Sequence, residues 1–519
     1  MSRISVQDLT GEGLLAPGVV RTGSFGWQLK LLGATLAFLA SPAQAQTAPD
    51  AATTDAATAE AIRLVDAWAD AAQSYGRWPA LSIAIGQGDK LLWSSGYGHI
   101  DAARKRPADG KTIYSICSIS KLFTSVAVMQ QWEAGKLRLD EPITTYLPWA
   151  KLQPDGRDSV PVTLRALLSH SAGVPRDGRT GYWNGPDFPF PDINELKADY
   201  GSATPLFPVG RAYQYSNIGL TLAGNAAVAV SGQPYAQLVQ NGVLTPLGLD
   251  DTRPYLPVDQ LGIRLAVGWG PLDRQGQRKQ LKAFDTKAIG PAAGFSSTAE
   301  DLVKFGLWQV GLRRQEALPT TPGVLRPSTL REMQRVQFND PIRKGSFGLG
   351  FVVEPDADKT YIGHDGSCPG YNTVLLVRPD TETVVAAMTT DNRAIWHEAV
   401  QIHKLIDARR DHSFKGTPPA KISLEDYAGR YENHVWTNES VVLPWNGGLV
   451  MLGLPANDPA DSLSFLKPIA PDRFRMIASD GSEMNEVTFN RDAAGRVLNY
   501  EEHFTRAQRV TMVRAITLN

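Results

Sequence analysis

The sequence predicts an α+β fold: an antiparallel sheet flanked by helices, an all-helical lobe, and a small all-β barrel domain after them. Three observations carry this. Strand-like apolar runs lie near residues 81–97 and return at 347–354, 372–378 and 382–388. Helix-period patterns fill the stretch between them, and from about residue 422 the chain becomes short strands punctuated by turn signals. With 519 residues, 43% hydrophobic and 20% charged, the chain is long enough for two or three such units. A formal net charge of −1 supplies no basic field for a nucleic-acid backbone, so nucleic acid is excluded as an expected partner.

Taken in order, Leu31 to Ala40 is an apolar run preceded by Arg21 and Lys30 and followed by Ala43-Gln44-Ala45, a small-x-small cleavage pattern. It reads as a signal peptide carrying an N-terminal extension (1–45), with a mature start near Gln46 and a periplasmic or secreted product. The run falls short of the ~20 residues a membrane-spanning helix needs, so no permanent anchor is expected. Residues 46–57 lack periodicity and are expected to be a disordered tether.

Ile62, Val65, Trp68 and Ala72 recur at helical spacing. Leu81–Ile85 and Lys90–Tyr97 read as a hairpin across Gly86-Gln87-Gly88. Leu122, Phe123, Val126, Met129 and Trp132 form one helical stripe over 119–134, closed by Gly135. Further helices are expected at 217–230, 234–242 and 394–409. Gly416-Thr417-Pro418-Pro419 marks a linker (411–421). Asn446-Gly447, Asp480-Gly481 and Asp492–Gly495 are the turn signals of the barrel (422–519), and the first is the strongest hairpin signal.

The chemistry starts at Ser118-Ile119-Ser120-Lys121. On a helix, positions i and i+3 share a face, so the hydroxyl and the amine meet one turn apart. Ser464-Phe465-Leu466-Lys467 repeats the spacing within a strand pattern, where side chains three apart point to opposite faces, and is assigned no function. Two further segments follow the first: Tyr215-Ser216-Asn217 and His364-Asp365-Gly366.

Together these motifs resemble the serine β-lactamase and penicillin-binding-protein-like hydrolases, specifically the class C β-lactamase, D-aminopeptidase and carboxylesterase group. Leu164–Gly173, Pro246–Thr252, Gly294–Leu302 and Gly348–Phe351 run with the same resemblance, which spans 58–410. Tyr427-Ala428-Gly429-Arg430-Tyr431 resembles the start of the lipocalin-like domains appended to many of these hydrolases.

A serine hydroxyl needs a base and an oxyanion stabiliser. Ser118 is assigned as nucleophile and Tyr215 as general base, with Lys121 as an ammonium that brings the phenol closer to working pH. Which of the two holds the proton stays open. The resemblance implies that Asn217 orients Lys121 and the substrate carbonyl, and that the N–H groups of Ser118 and Ser367 form the oxyanion hole. His364 stands where the lactamases carry lysine, and a histidine is mostly neutral at pH 7, which weakens a carboxylate anchor. Gly366 beside it suggests close backbone approach.

In this family the segments holding Cys117 and Cys368 are adjacent, so a Cys117–Cys368 disulfide is expected, with two buried free thiols as the alternative. Trp183, Phe188 and Phe190 are either an aromatic rim or a loop core. His397, His403 and His170 read as structural, and no metal or cofactor is implied. The expected activity is hydrolysis of esters or small amides through an acyl-enzyme. The alternatives are a D-amino-acid peptidase or carboxypeptidase, a weak β-lactamase, and a non-catalytic peptidoglycan- or ligand-binding sensor.

Overall fold

The computed structural model describes residues 51–152, 160–178, 181–201, 203–315, 323–340, 345–411, 423–435, 438–478 and 481–510. The signal-peptide segment, the tether before residue 51, linker residues 412–421 and Asp480 of one expected turn lie outside them. Helix α1 (Ala51–Gly76) begins inside the stretch expected to be a disordered tether, which corrects that reading. The cause is composition: alanine is the strongest helix former, and no glycine or proline separates the Ala-rich run from the amphipathic stretch after it.

Strands β1 (Ala80–Gln87) and β2 (Lys90–Gly98) form the expected hairpin. The chain then passes through β3 (Tyr114–Ser115), a 3-10 turn (Cys117–Ile119) and α2 (Ser120–Glu133). Short helices α3 (Leu164–Leu168) and α4 (Ile193–Tyr200) lead to α5 (Asn217–Ser231) and α6 (Tyr235–Val239), which continues as a π-turn over Gln240–Leu244. A small hairpin of β4 (Trp269–Leu272) and β5 (Arg278–Gln280) precedes α7 (Gly290–Ala293) and β6 (Ser296–Ser297), which pairs with β3. After α8 (Ala299–Arg314) and α9 (Pro327–Gln334) come β7 (Phe338–Asp340), β8 (Gly345–Phe347), β9 (Val352–Asp356), β10 (Lys359–Cys368), β11 (Tyr371–Arg378), β12 (Thr383–Thr389) and α10 (Trp396–Asp411).

The main sheet has eight strands in the order β2-β1-β12-β11-β10-β9-β8-β7. Its central strands are buried along their length because helices cover both faces, α1 and α10 on one and α8 on the other. The period-2 geometry divides their side chains between two cores. Ala84, Leu375, Val377, Ala386 and Met388 join the core shared with α2 and α8, while Ile83, Ile85, Val374, Leu376 and Val385 join the one shared with α1 and α10.

In the helical lobe α2 packs on α5 and α7. Leu122, Phe123, Val126 and Met129 of its stripe are fully buried, and Phe123 stacks on Phe295 and Phe305 at 5.2 and 4.4 Å. This rigid seat fixes whatever the start of α2 presents.

Strands β13 to β20 (Gly429–Glu432, Glu439–Trp445, Gly448–Leu454, Leu463–Ala470, Arg473–Ile477, Glu483–Arg491, Val497–Glu502 and Thr505–Val510) close into an antiparallel barrel. Asn446 and Gly447 both take positive φ at a two-residue turn, the geometry a type I′ hairpin demands. Tyr431, Phe474 and Phe489 fill the barrel, and Val441, Leu443, Val450 and Leu452 face outward onto the layer of α1 and α10. Arg63 pairs with Glu425 and the Trp68 indole donates to the Ala456 carbonyl at 2.9 Å, fixing that docking. Ser464 and Lys467 lie on β16, where Lys467 meets Glu483, so the repeated spacing has no catalytic company.

Candidate active site

The nucleophile candidate is presented by a constrained turn. Cys117 takes φ +46, Ile116 donates its N–H to the Phe295 carbonyl, and the Ser120 hydroxyl is held between the Cys117 carbonyl and the Phe295 N–H. Ser118 therefore sits in a 3-10 turn that runs into α2, with Lys121 on the first turn of the helix proper. Strand β10 lies against this turn. The Cys117–Cys368 disulfide joins the two across 251 residues, and Thr373 Oγ1 donates to the Ile116 carbonyl. A Cβ on Gly366 would come 2.2 Å from the Ile116 oxygen and 2.4 Å from Thr373 Oγ1, so only glycine permits the approach. Of the two options the sequence left for the cysteines, the bridge is the one found.

Lys121 is fully buried, and its Nζ lies 3.0 Å from Ser118 Oγ, 2.8 Å from Asn217 Oδ1 and 2.8 Å from the Ala292 carbonyl. Asn217 opens α5, whose N-cap Ser216 accepts from the Gly219 N–H. Its side-chain amide donates to Asp177 Oδ1 at 2.7 Å. A carboxylate only accepts, so the amide orientation is fixed and Oδ1 must face Lys121. Asp177 also accepts from the Tyr182 hydroxyl and the Trp183 indole. The sequence reading missed Asp177, because it falls in a loop where no spacing marks it.

The Tyr215 hydroxyl is hydrogen-bonded to Ser118, and its ring has Lys121 Nζ and the Arg176 guanidinium each 4.8 Å from its centroid. His170 packs on that ring at 4.4 Å and accepts the Ser216 N–H on Nδ1, a contact that supports the second motif from behind. Burial dominates the electrostatics. It pushes the Tyr215 phenol up and, reinforced by Arg176, the Lys121 ammonium well down. This reverses the expected balance, in which the ammonium was to draw the phenol towards ionisation: desolvation opposes both charged forms and favours a neutral amine beside a neutral phenol.

His364 is buried and lowered to about 4 by desolvation, with Nδ1 against the Asp365 carbonyl. The ring is neutral, as its replacement of a lysine implied. Together with Ser367 and Asp365 it lines a cleft of about 390 Å³ that opens onto Ser118. Arg176, Tyr213, Tyr215, Phe347, Glu354 and Trp396 are among the other lining residues. Phe188 and Phe190 are buried against Phe284, so that stretch is loop core rather than rim. The aromatic wall is instead Tyr213 stacked on Phe347 at 4.2 Å, with Trp396 nearby. His397 pairs with Asp458 and His403 is buried in the helix layer. Among the described residues no cluster suits a metal ion.

Serine, lysine, tyrosine and asparagine thus converge from the ends of two helices on the strand that carries His364. The family model for Beta-lactamase matches residues 65–409. The chain belongs to the Beta-lactamase family. Among its Beta-lactamase relatives, the human (Homo sapiens) serine beta-lactamase-like protein LACTB, mitochondrial, is 25% identical over 59% of this chain and 70% of its own length. The D-alanyl-D-alanine-carboxypeptidase/endopeptidase AmpH of Escherichia coli (strain K12) is 26% identical over 61% of this chain and 80% of its own. The octameric penicillin-binding protein homologue from Pyrococcus abyssi superposes with a TM-score of 0.57 at 22% identity, covering 86% of this chain and 99% of that one, a likeness of fold. The protein is accordingly a serine hydrolase of the Beta-lactamase fold with a C-terminal barrel.

Proposed function

We propose that this chain is an exported hydrolase that forms an acyl-enzyme at Ser118 from esters or small amides and releases it to water. The reading rests on one observation: a fully buried Lys121 whose amine has two carbonyl-type acceptors and one hydroxyl around it. A neutral amine has two N–H bonds and one lone pair. Asn217 Oδ1 and the Ala292 carbonyl take the N–H bonds, and the lone pair is left for the Ser118 proton.

In the proposed sequence Lys121 takes that proton as Ser118 Oγ bonds to the substrate carbonyl carbon, and the oxyanion is held by the N–H groups of Ser118 and Ser367. The tetrahedral species collapses when the leaving group takes a proton from the Tyr215 hydroxyl, which Lys121 replenishes. Water then repeats the cycle in reverse order. The neutral His364 leaves the third motif without a fixed cation for a substrate carboxylate, which favours neutral esters and amides over penicillins. A panel of p-nitrophenyl esters, D-alanyl amides and nitrocefin tests this. The expected result is ester turnover exceeding that of nitrocefin and lost in Ser118→Ala; turnover retained in Ser118→Ala contradicts it.

A D-amino-acid peptidase is the second reading, supported by the Glu354 and Asp365 carboxylates in the cleft, which suit a substrate ammonium, and by the similarity to AmpH. Preference for D-alanyl amides in the same panel decides for it, and absence of all turnover decides for a binding protein. Export is supported by the cleavage pattern and the disulfide. Amino-terminal sequencing of the exported form is expected to begin near Gln46, and an unprocessed chain contradicts it. Among the described residues no helix is long and apolar enough to cross a membrane.

A further inference from the structure

We infer that His170 is a positioning residue for proton delivery to the leaving group: it grips Tyr215 through three contacts and so holds the phenol on Ser118. The inference rests on the role proposed above for Tyr215 and names what keeps that residue in place.

Tyr215 lies in an irregular stretch, one residue before the N-cap of α5, so neither a helix nor a strand fixes its backbone. His170 supplies the support. Its carbonyl accepts the Gln214 N–H at 2.8 Å and its Nδ1 accepts the Ser216 N–H at 3.1 Å, bonds to the residues on either side of Tyr215. The imidazole itself packs on the phenol ring, with 4.4 Å between centroids. The same ring meets Tyr213 and Phe347 edge-on at 5.9 and 6.3 Å, so it also braces the aromatic wall of the cleft.

An imidazole here needs a reason, because it leaves a donor unmet. With Nδ1 accepting, the proton of the neutral ring sits on Nε2, which is buried with no partner among the described residues. A phenyl ring would fill the same space without that penalty, but it could not accept the Ser216 N–H. Acceptance at Nδ1 is what the imidazole adds. It requires a neutral ring, and burial holds His170 well below the ordinary histidine value of 6.5.

The test compares two esters of one acyl group, p-nitrophenyl acetate and ethyl acetate, by kcat/KM, which reports acylation. A p-nitrophenolate leaves without a proton, whereas an ethoxide must take one as it departs, so a misplaced Tyr215 hydroxyl slows ethyl acetate selectively. Tyr215→Phe is the reference and is expected to show this split in full. His170→Phe keeps a ring and removes the acceptor, and is expected to lose about tenfold more on ethyl acetate than on p-nitrophenyl acetate. In His170→Asn, Oδ1 takes the place of Nδ1, and asparagine tolerates the left-handed backbone at this position, φ +57. Only the ring contact is lost there, and a smaller split of about threefold is expected. Should His170→Phe fail to fold, the split in His170→Asn decides alone. A split in Tyr215→Phe, with equal loss on both esters or no loss in the His170 variants, overturns the inference. A parent without turnover, or no split in Tyr215→Phe, instead refutes the function or the Tyr215 role proposed above, and the inference falls with it.

Discussion

Lys121 is the residue on which the chemistry turns, and Asp177 sets its state from one contact away. Asp177 accepts from Asn217, which obliges Asn217 to present its oxygen to Lys121. With Asp177→Ala the amide is free to rotate, and kcat is expected to fall by roughly thirtyfold, the equivalent of losing a charge-assisted hydrogen bond of about 2 kcal/mol, while the melting temperature also falls because Tyr182 and Trp183 lose the same acceptor. Steady-state kinetics beside thermal unfolding measure both. The pH profile follows from the same site. Burial lowers the Lys121 ammonium, so activity is expected to climb as pH rises and the amine loses its proton, and to level off well short of the ordinary lysine value of 10.5. Ser118, Lys121, Tyr215 and Asn217 were legible as motifs because helix spacing or family pattern marks them. Asp177 was not, since a loop residue acts through its place in space, and the direction of the Lys121 and Tyr215 shifts depends on burial that spacing does not encode.

At the scale of elements, the disulfide and Gly366 press β10 against the turn that carries Ser118. Replacing both cysteines by serine is expected to cost about 2–4 kcal/mol of stability, read by denaturant unfolding against the oxidised parent. Gly366→Ala has a different signature. The added methyl meets the Ile116 carbonyl, so β10 must move off the turn and separate Ser118 from Ser367. Activity is expected to drop far more than stability, and equal losses would place the effect in folding alone. The sequence revealed the hairpins and the long helices through their periods and turn residues. It misplaced the start of α1, where Ala-rich composition reads equally as tether or helix until a packing partner is known. It also left Phe188 and Phe190 undecided, because an aromatic cluster in a Pro/Gly-rich loop has no period to say which way it faces.

For the whole molecule, three buried histidines on different elements link folding to pH. His364 is lowered to about 4 and His403 to about 3, and His170 is also held well below its ordinary value, chiefly by desolvation. Between the unfolded value of 6.5 and these folded values the unfolded chain binds protons that the folded one refuses, so stability falls as pH falls. Each histidine is expected to contribute a slope of about 1.4 kcal/mol per pH unit in that window, and urea unfolding at pH 7 and pH 5 reads the sum. A barrel docked on the helix layer, with both cores behind the cleft, leaves the catalytic residues on a rigid frame. The most direct test is the intact mass of the protein after exposure to a fluorophosphonate at several pH values. One adduct per chain is predicted, located at Ser118, forming faster as pH rises, and absent from Ser118→Ala. An unmodified parent, or an adduct that persists in Ser118→Ala, contradicts a lysine-activated Ser118.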